Sequence, residues 1–161
     1  LLLSRAQTKR SGEQKSFKLA ELIGEQVETL GVLFPEQTFT LSGDTDVTHT
    51  MNPAAFSRVA RNLMENAARY AGGEPIEVVF SQDKETVGFS VKDSGPGIAS
   101  EKQEQLFQRF YRTDSGRART EGGHGLGLAI VKALVEEGNG QIECLSEVGK
   151  GSEFRITFQK A

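Results

Sequence analysis

Tryptophan is absent from the 161-residue chain and cysteine occurs once, at Cys144. One thiol cannot close an intrachain disulfide, so the fold must rest on a core rather than on covalent staples. At this length, 37% apolar residues are enough for one domain with such a core. Cys144 follows polar Glu143 in a strand-like alternation and reads as a core thiol, consistent with a reducing, cytoplasmic setting. An excess of positive charge is also missing. The formal net charge is −3 with the signs interspersed, which leaves no basic footprint for nucleic acid. No apolar run is long enough to span a bilayer, and no secretory leader is recognisable. Repeats and low-complexity tracts are lacking. The common nucleotide motifs are lacking too. A Walker loop built on Lys150 would need Ser or Thr where Gly151 stands and glycine where Cys144 stands. A Rossmann fingerprint after Asp93 would need glycine in place of Ser100. The catalytic Asp and Asn set of a eukaryotic-type protein kinase does not occur.

What the chain does have is glycine, concentrated where a helix begins. Gly122, Gly123, Gly125 and Gly127 put four glycines into six positions, running straight into the apolar segment Leu128-Ala129-Ile130-Val131. Such a loop offers bare backbone N–H groups and the positive end of a helix dipole, both of which favour a phosphate chain. Glycine also lets the backbone approach a ligand closely.

In chain order, Leu1 in place of Met and the apolar run Leu1-Leu2-Leu3 suggest a piece of something longer, entered near the end of a helix. Residues 11–15 read as a polar linker, so the domain proper is placed at 16–161. From Phe17, Leu19, Leu22, Ile23, Val27 and Leu30 recur at helical spacing until Pro35. Phe39 and Leu41 alternate in a short strand. Asn52-Pro53 is a cap and first-turn pair opening a helix to Tyr70, stopped by Gly72-Gly73. Its Phe56, Val59, Ala60, Leu63 and Ala67 make one buried stripe, with Asn62, Asn66 and Arg69 on the rim beside it. Strands are predicted over 76–80 and 86–92. In the second, Val87, Phe89, Val91 and Asp93 share a face, and a carboxylate there is costly without a partner. A short helix is predicted over 101–109, another over 125–137 ending at Gly138, and closing strands over 141–146 and 153–159. About three helices and about five strands, mostly joined as hairpins, predict a two-layer α/β sandwich: a mixed sheet with helices on one face.

The chain resembles the ATP-binding catalytic domain of sensor histidine kinases, within the wider gyrase, chaperone and MutL-like ATPase superfamily and its Bergerat-type fold. Five boxes carry the resemblance, in order. Asn62-Leu63-Met64-Glu65-Asn66-Ala67-Ala68-Arg69-Tyr70 looks like the N box, and Asp93-Ser94-Gly95-Pro96-Gly97 like the first glycine box. Leu106 to Arg112 looks like the F box. Gly123-His124-Gly125-Leu126-Gly127-Leu128 and Gly149-Lys150-Gly151-Ser152 look like the second and third glycine boxes.

The resemblance implies Mg–ATP as ligand. It makes Asp93 the acceptor for the exocyclic amine of adenine, where guanine would present a repelling carbonyl. Asn66 becomes the Mg²⁺ ligand with Asn62 close by, since magnesium prefers oxygen donors. Arg69 and Tyr70, Gly95, Gly97 and Ile98, the second glycine box including His124, and Ser152 would line the nucleotide. Arg112 would reach the γ-phosphate. Glu65 stands where the family carries a residue assisting proton removal from the acceptor; an i,i+4 pair with Arg69 explains it equally well. Phe107, Phe110 and Tyr111 read as packing, and His49 as a structural residue. Neither histidine is followed by the acidic-Leu-Arg phosphoacceptor pattern. The resemblance therefore implies an upstream helical hairpin carrying the acceptor histidine, with residues 1–15 as its end and linker. It further implies a homodimeric parent, compatible with membrane anchoring, and a response regulator as final acceptor. Two rivals stand beside this reading: a gyrase- or MutL-like ATPase module, and a nucleotide-binding regulatory module without kinase activity.

Overall fold

A capped helix lying across a sheet organises the chain. In the computed structural model, which describes residues 12–108 and 127–160, the order is β1 (Lys15–Lys18), α1 (Leu19–Leu33), β2 (Phe39–Gly43), β3 (Thr48–Met51), α2 (Pro53–Tyr70), β4 (Ile76–Gln82), β5 (Thr86–Asp93), α3 (Ser100–Gln103), α4 (Gly127–Glu137), β6 (Gly140–Glu147) and β7 (Gly151–Gln159). The Asn52 side chain accepts from the Ala55 N–H at 3.1 Å and Pro53 occupies the first turn, so α2 starts where its sequence says. Its buried face is Phe56, Val59, Ala60, Leu63, Met64, Ala67 and Ala68.

Five strands form the main sheet in the order β2-β4-β5-β7-β6. The β2–β4 pair is parallel, with α2 in the connection between them, and the remaining pairs are antiparallel. Ile76, Val78, Phe80, Val87, Phe89, Val91, Phe154, Ile156 and Phe158 alternate inward and are buried against Leu19, Ile23 and Leu30 of α1, the α2 stripe, and Val131 and Val135 of α4. The opposite face bears Glu77, Lys92 and Glu153, cross-strand neighbours in one row of alternating charge. This is the two-layer α/β arrangement expected from the sequence.

Three local expectations need correction. The helix expected from Phe17 begins at Leu19, because Lys15–Lys18 pairs with Thr48–Met51 as a separate two-stranded ribbon. Phe17 from this ribbon packs on Phe56 with ring centroids 5.0 Å apart. The helix expected over 101–109 is a single α-turn, Ser100–Gln103, followed by turns up to 108. Among the described residues there are seven strands and four helices rather than five and three. At its C-terminus α4 stops at Glu137 before Gly138, as expected, and the left-handed residue beyond it is Asn139 (φ 64°). A side chain at Gly138 would press on Met51 and the Phe158 ring at 3.1–3.2 Å, so glycine there serves close packing.

Candidate functional site

Asp93 lies at the last position of β5, on the inward face as its period-two register requires, and is 5% exposed. Its Oδ1 accepts the Gly95 N–H at 2.9 Å. Burial pushes its carboxyl above the usual range, an effect the N–H groups of Gly95 and Ser152 partly offset. It is a buried acceptor whose described partners are backbone donors.

Three segments converge on it. The loop after Asp93 packs so tightly that a Cβ at Gly95 would strike the Tyr70 carbonyl oxygen at the end of α2 and come within 2.9 Å of Asp93 Oδ1. At Gly97 (φ 77°) it would strike the Glu147 carbonyl, and at Gly151 (φ 100°) the Asp93 carbonyl. The Gly149 N–H donates to the Pro96 carbonyl at 2.8 Å. The first and third glycine boxes are thus locked against each other, and Ser152, 7% exposed, stands opposite Asp93 in the β5–β7 register.

On α2, Asn62, Asn66 and Arg69 are half-buried along the rim of the core stripe, as the helical spacing predicts, and Glu65 and Tyr70 are half-buried as well. Glu65 accepts from Arg69 Nη2 at 2.9 Å and lies 3.9 Å from Arg61 Nε. The i,i+4 pair expected of Glu65 with Arg69 is therefore present. Asn62 and Asn66, one turn apart, form no side-chain hydrogen bond among the described residues; their amide oxygens are the neutral donors a magnesium ion accepts. With Asp93 buried at the end of β5 and glycine required around it, the residues present fit a magnesium-bound purine nucleotide. Gly127 and Leu128 open α4, which packs on α2. Arg112, Gly123, His124, Gly125 and Leu126 lie outside the described residues.

Phe107 meets Phe154 edge-on at 6.4 Å with Lys132 Nζ 5.9 Å over its ring, which fits the packing role read for it. Cys144 is half-buried in β6 against the core, its thiol pushed up to about 11 by burial and by the Asp93 charge. His49 is structural: its ring stacks on Phe158 at 4.4 Å and its Nε2 is buried without a hydrogen-bond partner.

Sequence reasoning missed Ser146 and Gln103. Ser146 Oγ accepts the Ile98 N–H at 2.7 Å, donates to the Gly151 carbonyl at 2.9 Å, and lies 2.9 Å from Ser152 Oγ. Gln103 Nε2 donates to the Ile98 carbonyl at 2.8 Å and to the Ser146 carbonyl at 3.0 Å. Alternation with Ile142 and Cys144 places Ser146 on the inner face, the one signal available for it.

Residues 51–161 match the family described as Histidine kinase-, DNA gyrase B-, and HSP90-like ATPase, and the chain belongs to it. Within that class it aligns with the ATP-binding catalytic domains of sensor histidine kinases. It is 35% identical over 154 residues to the sensor histidine kinase CpxA of Escherichia coli (strain K12), covering 89% of this chain and 32% of the relative. The catalytic domain of histidine kinase ThkA superposes with TM-score 0.80 at 27% identity, covering 92% of this chain and 97% of that one. Full-length ShkA in complex with AMPPNP gives TM-score 0.79 at 25% identity over 92% of this chain and 32% of that one. The chain therefore spans about a third of CpxA's length. Among the described residues no helix is long and apolar enough to cross a membrane.

Proposed function

We propose that this histidine kinase-type ATPase domain binds Mg–ATP and delivers the γ-phosphoryl group to a histidine on a helical hairpin of a larger parent protein. The observation carrying this reading is Asp93: a buried carboxylate against two tightly closed glycine turns, where the exocyclic amine of adenine would supply a strong donor. Asn66, with Asn62 beside it, would hold magnesium, which screens the phosphate charges when bound. Tyr70 and Arg69 close the α2 side; Gly95, Gly97, Ile98 and Ser152 close the base side. Gly123 to Leu128 would wrap the phosphates at the start of α4, and Arg112 would stabilise charge on the transferring group. Glu65 would take the acceptor's proton or, through Arg69, hold the helix rim in place. The parent is read as a homodimeric sensor with this domain on its cytoplasmic side and a response regulator as the final phosphoryl acceptor.

The deciding experiment is calorimetry of ATP binding to the wild type and to Asn66→Ala, with and without magnesium. Magnesium should strengthen ATP binding to the wild type, and Asn66→Ala should remove most of that dependence while magnesium-free binding stays near wild type. Equal magnesium dependence in both proteins would place the metal elsewhere. Failure of the wild type to bind ATP would end the reading.

A further inference from the structure

The bonds around Ser146 do more than close a hairpin. Its hydroxyl has one proton and two acceptor sites, and the three neighbours at 2.7–2.9 Å use all of them if Ser152 donates, Ser146 donates to Gly151, and Ile98 N–H donates to Ser146. One side chain therefore ties the loop that follows Asp93 to the strand facing Asp93. Gln103 adds a second link between that loop and the hairpin, donating to the carbonyls of Ile98 and, on β6, Ser146 through one amide nitrogen. Asp93 itself is positioned by that loop and that strand, through the N–H groups of Gly95 and Ser152.

We infer that Ser146 and Gln103 are positioning residues for base selection: they clamp the Asp93 loop onto the β6–β7 hairpin and so hold the carboxylate where it can read an exocyclic amine. Neither needs to touch the nucleotide. Without the Ser146 hydroxyl, the Ile98 N–H and the Ser152 hydroxyl lose a partner, and the loop is free to settle a few tenths of an ångström away. A charge-assisted hydrogen bond is sensitive to such a displacement. The loss should therefore fall on the amine contact more than on the rest of the nucleotide.

This inference rests on Asp93 reading adenine, and the test separates the two. ATP and purine riboside triphosphate, which is ATP without the exocyclic amine, are titrated into the chain by calorimetry. If Asp93 reads the amine, wild type should prefer ATP by about tenfold or more. Ser146→Ala should bring the two affinities to within about threefold, chiefly by weakening ATP, while Ser146→Thr, which keeps the hydroxyl, restores the preference. Gln103→Ala should narrow the ratio in the same direction, and carries the test alone if Ser146→Ala does not fold. A ratio unchanged in a folded variant, whatever its melting temperature, overturns the positioning role and leaves the adenine assignment standing. A wild type that does not distinguish the two nucleotides overturns both.

Discussion

A carboxylate buried to 5% exposure is held at a cost to the fold. The carboxyl of Asp93 is raised above its ordinary value of 3.8, so the native state favours the neutral acid. The stability this confers is present below pH 3.8 and is lost as pH rises through the native value. At neutral pH the ionised group therefore opposes folding. Asp93→Asn keeps an oxygen for the Gly95 N–H but presents a donor toward the base. The variant should melt higher than wild type at pH 7, with the gap closing toward pH 3.8, while ATP affinity falls by about tenfold or more. Paired thermal melts and calorimetry check both halves; a variant that still binds ATP normally removes Asp93 from base recognition. Asp93 was legible because alternation from Val87 brings a charge onto the core face. Ser146 carried the same alternation but no mark of its role, since its partners are a backbone N–H 48 residues away and a carbonyl across its own hairpin. Side-chain spacing does not record distant backbone partners.

Among the elements, α2 was readable almost residue by residue, because cap, first-turn proline, apolar stripe and double glycine all point to one helix. The β1–β3 ribbon was not. Its strands are four residues each, mostly exposed, and lie far apart in sequence, so pairing rather than local preference makes them. His49 shows what the ribbon contributes. Its ring stacks on Phe158 and bonds the Gly138 backbone, and burial lowers its pKa below 6.5. Among the described residues no charged side chain pairs with it, and Lys18 of the ribbon pairs instead with Asp46. Protonation would place a second N–H where no acceptor waits. The native state thus prefers neutral His49, and the associated stability is present above pH 6.5 and lost as pH falls through the native value. Denaturant melts should show wild type losing stability below pH 6.5 more steeply than His49→Phe, which keeps the stacked ring. Parallel profiles would show that His49 does not titrate with folding.

At the scale of the whole molecule, the fold class was readable because five boxes stand in order along a sequence whose periodicities agree with them; the strand order was not, and it is the sheet topology that brings the first and third glycine boxes to one end. That same topology separates the nucleotide end from His49. Ser152 stands opposite Asp93, whereas His49 stacks on Phe158, six residues further along β7. At the rise of a strand this is about 20 Å. A phosphoryl group must be transferred in line to an acceptor at contact distance, and the His49 ring is stacked on Phe158 with its Nε2 buried, so it is not presented to a bound nucleotide. His124 belongs to the glycine box proposed to wrap the phosphates, on the donor's side of any transfer. Incubated with γ-labelled ATP, the chain alone should acquire no acid-labile label. Adding the parent's helical hairpin in trans should produce label on the hairpin, because a separate acceptor can dock over the bound nucleotide. Label on the chain itself, lost in His124→Ala, would reverse the roles of donor loop and acceptor. A chain that binds ATP yet labels no hairpin would favour the regulatory, non-kinase reading.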